Sequence, residues 1–288
     1  MWKKMLVAGV AVAALGIWAP VTTDYSYTGV AMACEEPGDF ATPGGIPYST
    51  PLAYNTSVQR SELVYYGRKL MESSTYEVTL APDFAEAYPK LQDSLDKLSA
   101  ENWSYMRRMM NSWSPDLIAL YEEGKAGGWY QGDSNDPIYS YELSYSGLRA
   151  DSTVFSCVGG EFVYLGGAHP VYYYKAHVFD SKTGKELKLN DIFKTTDGLA
   201  EIIVEEAANQ IEPRSAMPDR TEALKAVKAL IEDGNLQFGL SEDDCIIYFG
   251  NYEIGCYAMG TLEVKLPYHK YFKLFNNKYV FYGARAKG

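Results

Sequence analysis

Two hydrophobic periods divide the chain. Between residues 84 and 113, Leu91, Leu95, Leu98, Met106, Met109 and Trp113 recur at steps of three and four, which predicts an amphipathic helix with its apolar stripe in a core. Ser114 and Pro115 then read as a cap and a first turn. They restart a helix that buries Leu117, Ile118 and Tyr121 and ends at Gly124, Gly127 and Gly128. From Ile138 the period becomes two. Tyr139, Tyr141, Leu143 and Tyr145 alternate with polar residues, as in a strand with one buried face. Residues 63–70, 76–80, 154–164, 171–179, 245–249 and 262–266 read as further strands, with a turn at 182–185. Leu199, Ile203, Ala207 and Ile211 mark one amphipathic helix, and Leu224, Val227 and Leu230 a second. Asp219 with Glu222 caps the second helix and Gly234 stops it. The order of strands, long helix, strands, two helices and strands predicts an α+β fold. Its sheet is mainly antiparallel, with one long helix in the N-terminal half and two amphipathic helices in the C-terminal half.

The first residues follow neither period. Lys3 and Lys4 precede an apolar run over 5–19, closed by Pro20. That run is shorter than the roughly 18–20 apolar residues a spanning helix needs, so it reads as an export signal, the alternative being an uncleaved membrane anchor. Ala31-Met32-Ala33 supplies a cleavage pattern, which gives a signal peptide over 1–33 although a polar stretch separates it from the apolar run. Cys34 follows directly and makes lipidation the minority alternative, against which Asp24 in the spacer speaks. A Pro/Gly-rich linker is expected over 34–60, with order from Ser61. The chain is thus expected to be secreted, periplasmic or envelope-associated, touching a membrane only through an uncleaved signal or a lipid anchor.

Charge narrows the partners. The 288 residues carry 26 basic and 37 acidic side chains, a formal net charge of −11, and no basic cluster longer than Arg107-Arg108. Nucleic acid is therefore not an expected partner. The 25 tyrosines suit a β-rich surface and faces that contact sugars or proteins. Of four cysteines, Cys245 and Cys256 flank a turn at Gly250-Asn251 and are expected to pair in an oxidising compartment, with Cys157 buried and free. Two buried free thiols are the equal alternative. Zinc finds no C-x-x-C pair and no histidine near a cysteine, so neither metal nor cofactor is expected.

No nucleophile elbow, zinc-protease, Walker or dinucleotide pattern occurs. His169, His177 and His269 are the only histidines, and a metal pair of His169 and His177 with Asp180 is a remote option. Gly166 and Gly167 predict a tight corner at positive φ, with Pro170 fixing its exit. His169 is expected to bond a carbonyl or carboxylate within that corner. Alternation sends Tyr172 and Tyr174 to one face of the next strand and Tyr173 to the other. Gly166, Gly167, His169, Tyr172 and Tyr174 are thus the candidate ligand-contacting residues. Half-burial of the tyrosines in a twisted sheet is the competing reading.

Several segments carry a family resemblance in one order and spacing. They are Tyr164-Leu165-Gly166-Gly167-Ala168-His169-Pro170, Phe179-Asp180 with Thr183-Gly184-Lys185, and Leu189-Asn190-Asp191-Ile192-Phe193. Phe238-Gly239-Leu240, Ile247-Tyr248-Phe249, Tyr252-Glu253-Ile254-Gly255 and Tyr257-Ala258-Met259-Gly260 follow. Over residues 61–270 the chain resembles the bacterial envelope proteins RsiV and PdaC. The resemblance implies a PdaC-type accessory domain over 61–160 and an RsiV-like C-terminal domain over 161–288. In RsiV the corresponding exported region recognises lysozyme. In PdaC the deacetylase chemistry belongs to a separate metal-binding domain that this sequence does not match. The implied function is an exported, non-catalytic envelope module for binding or sensing, with lysozyme or peptidoglycan as its ligand. A cell-wall hydrolase with an unrecognised site is the alternative.

Overall fold

The computed structural model describes residues 21–29, 51–128, 137–210 and 219–280. The apolar run at 5–19, the cleavage pattern at Ala31-Met32-Ala33, Cys34 and most of the expected linker lie outside the described residues. Among the described residues, no helix is long and apolar enough to cross a membrane.

The fold is α+β with a mainly antiparallel sheet. Strands β1 (Val21–Gly29), β2 (Tyr54–Tyr65), β3 (Arg68–Leu80), β4 (Tyr139–Ala150), β5 (Val154–Tyr164) and β6 (Val171–Asp180) form a six-stranded sheet in sequence order. One pair, β3 with β4, is parallel. The crossover between them carries a short helix α1 (Pro82–Ala87) and the long helix α2 (Pro89–Ala126), as a parallel connection requires. A second, three-stranded antiparallel sheet holds β7 (Gln237–Leu240), β8 (Asp244–Phe249) and β9 (Leu262–Pro267). It follows the short helix α3 (Leu189–Ile192) and the amphipathic helices α4 (Leu199–Gln210) and α5 (Arg220–Glu232). The Asp219 carboxylate caps α5 by accepting from the Thr221 and Glu222 amides, as the capping pattern predicts.

Three expectations change. β1 falls inside the stretch read as signal peptide and pairs antiparallel with β2, while β2 begins at Tyr54, inside the stretch read as linker. The run at 63–70 is two strands joined by a two-residue turn, with Tyr66 and Gly67 both at positive φ (49° and 78°). Such a turn matches strand twist but is usually written with Asn or Asp before Gly, so the sequence hides it. Finally, α2 runs through Pro115 without a break. Ser114 donates from Oγ to the Met110 carbonyl at 2.5 Å, and buried Met106, Met110, Leu117 and Tyr121 anchor the helix on both sides of the proline. That burial outweighs the ~3 kcal/mol a mid-helix proline costs.

Strands β5 and β6 are shared by two cores. Adjacent residues point to opposite faces: Phe155 and Phe179 enter the core under α2, while Val154 and Val178 enter the core built with β7–β9, α4 and α5. The expected division at 160/161 therefore falls within β5. The turn after β6 ties the layers together. Ser94 of α2 donates to the Gly184 carbonyl at 2.8 Å. Gly184 sits at φ 69°, and a Cβ at this position would run into the Lys90 carbonyl and the Ser94 hydroxyl. Gly184→Ala is expected to destabilise the fold by ~2 kcal/mol or more in denaturant titration, through strain added to a clash with backbone.

Candidate functional site

Gly166 and Gly167 make the predicted corner at φ 79° and 94°, and the Tyr164 hydroxyl donates to the Gly167 carbonyl at 3.2 Å. His169 is exposed on the corner with Nδ1 3.3 Å from the Pro170 carbonyl. Its ring stacks on Tyr257, with centroids 3.7 Å apart and planes 19° apart. The Tyr257 hydroxyl donates to the same Pro170 carbonyl at 2.9 Å. A distant loop, 250–260, therefore closes over the glycine corner.

Asn251 fastens that loop to the free edge of β6. Its Oδ1 accepts from the Tyr172 amide at 2.8 Å, and its own amide donates to the Tyr172 carbonyl at 2.9 Å. Asn251 thus stands in for a strand partner while being buried itself. The Glu253 carboxylate accepts from the Gly250 amide at 2.7 Å, and burial pushes its pKa up.

The result is an aromatic platform. Tyr172 is 43% exposed and packs edge-on against Phe162 at 5.2 Å; Tyr252 is 56% exposed and lies 5.6 Å from Tyr257. Leu165 is exposed beside the corner. Gly166, Gly167, His169 and Tyr172 are thus brought together. Tyr174 shares the face of Tyr172 but turns inward, its ring 4.8 Å from Tyr248 and its hydroxyl 3.2 Å from both Thr261 and Glu263. Burial pushes the Tyr174 pKa up. Tyr173 lies on the opposite face of the strand, as alternation requires, and is exposed there. Sequence reasoning missed Tyr252, Tyr257 and Asn251 as parts of this site. They sit in a loop without periodicity, and only long-range hydrogen bonds bring them to β6.

A second polar cluster centres on His177. Its Nδ1 lies 2.8 Å from Glu186 Oε1 and its Nε2 lies 3.3 Å from the Tyr145 hydroxyl. The Asn102 amide donates to that hydroxyl at 3.0 Å. Asn102, Tyr145, His177 and Glu186 thus form one continuous hydrogen-bonded chain. Lys188 donates to the second Glu186 oxygen at 2.7 Å. His177, Glu186 and Lys188 edge a groove of about 660 Å³ between β6, α3, the end of α5 and β7. Burial pushes the Tyr145 pKa well above its ordinary range, which keeps the hydroxyl protonated as a donor. His177 therefore spends both nitrogens within the fold.

The remote metal set does not assemble. His169 precedes β6 on the exposed corner. Asp180 accepts from Lys278 Nζ at 2.9 Å, the Tyr279 hydroxyl at 3.0 Å and the Thr183 amide at 2.9 Å. Among the described residues, no three His, Cys, Asp or Glu side chains cluster as metal ligands.

The expected disulfide is corrected too. Cys157 and Cys245 are buried free thiols and Cys256 is an exposed one. Cys245 opens β8 and faces its core, four residues before Phe249. At ~3.3 Å per residue that places it roughly 13 Å along the strand from the loop holding Cys256, beyond disulfide reach. Cys34 lies outside the described residues. Burial pushes the Cys157 thiol up to about 12. In native protein, mass-mapped alkylation is expected to label Cys256 first and to reach Cys157 and Cys245 only after unfolding; early labelling of either buried thiol contradicts this.

Acid should loosen the junction. Burial alone would raise Asp180, but Lys278, Thr183 and Tyr279 outweigh it and hold the carboxyl at about 2. The His177 hydrogen bond, opposed by burial and helped by Lys188, holds Glu186 at about 2. Both folded values lie below the ordinary 3.8 and 4.5, so their stabilisation is present above about pH 4.5 and is lost as pH falls toward 2. Asp180→Asn and Glu186→Gln are expected to flatten the pH dependence of thermal stability in that window. Asp180→Asn should also cost on the order of 2 kcal/mol at pH 7, because it leaves Lys278 and Tyr279 without a carboxylate.

Residues 190–269, from α3 through β9, match the model of the DUF3298 family, described as a protein of unknown function. No curated protein matches the chain. A crystal structure of a DUF3298 family member from Bacteroides fragilis is 19% identical, with a TM-score of 0.55 over 80% of this chain and 96% of that one. That likeness is one of fold. A DUF3298 family protein from Pseudomonas aeruginosa aligns at 14% identity and a TM-score of 0.42, over 91% of this chain and 97% of that one.

Proposed function

We propose that this chain is an exported, non-catalytic binding module of the bacterial cell envelope and that the aromatic platform is its contact surface. The observation that carries the reading is the platform itself. Tyr172, Tyr252, Tyr257 and His169 come from segments about 80 residues apart and are held at one corner by side-chain hydrogen bonds to backbone groups and by ring contacts. Aromatic side chains fixed in this way lose little conformational entropy on binding, which favours them as anchors over flexible surface Lys and Glu.

Two further features support the reading. Lys3 and Lys4 before a short apolar run support export. The resemblance of the Gly-Gly-Ala-His corner and the Tyr-Glu-Ile-Gly segment to RsiV and PdaC-type domains supports lysozyme or peptidoglycan as the ligand. A net charge of −11 attracts a basic protein such as lysozyme mainly through the association rate, so salt should slow capture. The non-catalytic part is supported by His177, the histidine paired with a carboxylate, whose Nε2 partner is the hydroxyl of the buried Tyr145.

Binding of the purified protein to lysozyme and to peptidoglycan fragments tests the reading. At least one is expected to bind saturably. Tyr172→Ala and Tyr252→Ala, both at exposed positions, are expected to weaken it about 30-fold, the ~2 kcal/mol of an aromatic anchor. Absence of binding to both ligands, or unchanged affinity in both variants, overturns the proposal. Turnover of a wall substrate that is lost in His169→Ala or His177→Ala replaces it with the hydrolase reading.

A further inference from the structure

The underside of α2 changes character along its length. Around Met106, Met110 and Leu117 it buries apolar side chains. Toward its start, the stripe Asp96, Ser99 and Trp103, at steps of three and four, faces Gln59 of β2 and Glu77 and Thr79 of β3 across a groove of about 370 Å³. That volume lies within the ~300–1,000 Å³ range of small-ligand sites.

The polar stripe continues inward along β3. Ser73, Thr75, Glu77 and Thr79 alternate onto one face, with Ser73 opposite Ser61 and Thr75 opposite Gln59. Ser73 and Thr75 are 0% and 1% exposed, and their hydroxyls have no hydrogen-bond partner among the described residues. Buried hydroxyls are normally paired, so this stretch is polar beyond what packing a helix on a sheet requires.

The chemistry of the groove is specific. Glu77 already accepts from the Ser57 hydroxyl at 2.8 Å and from the Gln59 amide nitrogen. Asp96 Oδ1 accepts from the Gln92 amide at 2.6 Å. Asp96 Oδ2, the Gln59 side-chain carbonyl and the hydroxyls of Thr79 and Ser99 have no partner among the described residues. Trp103 is half-buried beside them, with the Arg107 guanidinium over its ring at 5.9 Å. Besides the Trp103 indole N–H, every polar group lining the groove is a hydroxyl, an amide or a carboxylate. Carboxylates and amide carbonyls accept from vicinal hydroxyls, and an indole packs against the C–H face of a sugar ring. Anionic ligands find no cation in the lining. A compact cation is disfavoured because the Glu77 charge is already met by two donors and Arg107 stands over the ring.

We propose that the groove between α2 and β2–β3 is a neutral-saccharide site with Trp103 as its platform and Asp96, Gln59 and Thr79 as its hydroxyl-binding groups. It is separate from the aromatic corner. Three strand spacings lie between β3 and β6, about 14 Å across the sheet. The inference does not depend on the platform being a contact surface.

The test is calorimetric titration of the purified protein with a β-1,4-linked tetramer of N-acetylglucosamine, read in parallel by tryptophan fluorescence. Saturable binding is expected, accompanied by a fluorescence change that disappears in Trp103→Phe. Asp96→Asn and Thr79→Val keep side-chain shape, so they should preserve the fold while weakening affinity about tenfold. Lys228→Ala, at an exposed position on α5, should leave it unchanged. Three results overturn the proposal: no saturable binding up to ~10 mM, binding of spermidine in place of the tetramer, or affinity that is kept in Asp96→Asn and Thr79→Val. Tetramer binding lost only in Tyr172→Ala assigns the sugar to the aromatic corner and leaves that reading standing. Tetramer binding lost only in the groove variants assigns the sugar to the groove.

Discussion

Everything in this molecule depends on β5 and β6 facing two cores at once. A strand turns successive side chains to opposite faces, so Val154-Phe155 and Val178-Phe179 each place one residue under α2 and the next under the second sheet. No polar face is left on this part of the ladder. A cross-layer bond fixes the register: the Leu240 amide donates to the Ser156 hydroxyl at 2.9 Å, seating β7 on β5. Because both cores share one ladder, displacement of either layer is felt by the other.

The ladder would end in an open edge at β6, and the chain closes that edge with side chains as well as with backbone. Asn251 pairs with Tyr172, the Gln237 amide oxygen accepts from Ala176 at 2.9 Å, and the Leu187 amide reaches the Val178 carbonyl at 2.7 Å. Capping an edge with amide groups of distant loops protects it from pairing with another chain. It also has a geometric consequence. The loop carrying Tyr252 and Tyr257 must lie against the corner that carries His169, so edge protection and assembly of the aromatic platform are one arrangement.

What could be read from the sequence followed periodicity. The alternation after Ile138, the caps of α5, the positive-φ corner at Gly166-Gly167 and the split of Tyr172 and Tyr174 from Tyr173 are all local and all present in the structure. Features set by distant partners were hidden. Pro115 reads as a helix start, yet the burial of Met110 and Tyr121 carries the helix through it. Cys245 and Cys256 look paired across a turn, yet strand length separates them. Half of the platform was legible as Gly166, Gly167, His169 and Tyr172, and the other half was not, since nothing local links residues 251–257 to β6.

The interior beneath α2 shows where sequence and fold disagree most. Leu91, Leu95, Met106 and Met110 satisfy the helical period, and an apolar β3 would have packed against them at no polar cost. Instead β3 offers Ser73, Thr75, Glu77 and Thr79 on the face turned to the helix. Each buried hydroxyl without a partner costs about 1–3 kcal/mol of desolvation that packing does not return. Chains that otherwise obey local rules break them chiefly where a site needs the departure. The outer part of the stripe opens into a groove beside an indole, where arriving hydroxyl groups would recover part of that cost. The inner part, at Ser73 and Thr75, stays sealed under the helix. A polar seam that is sealed at one end and open at the other is better explained by what enters it than by the packing around it.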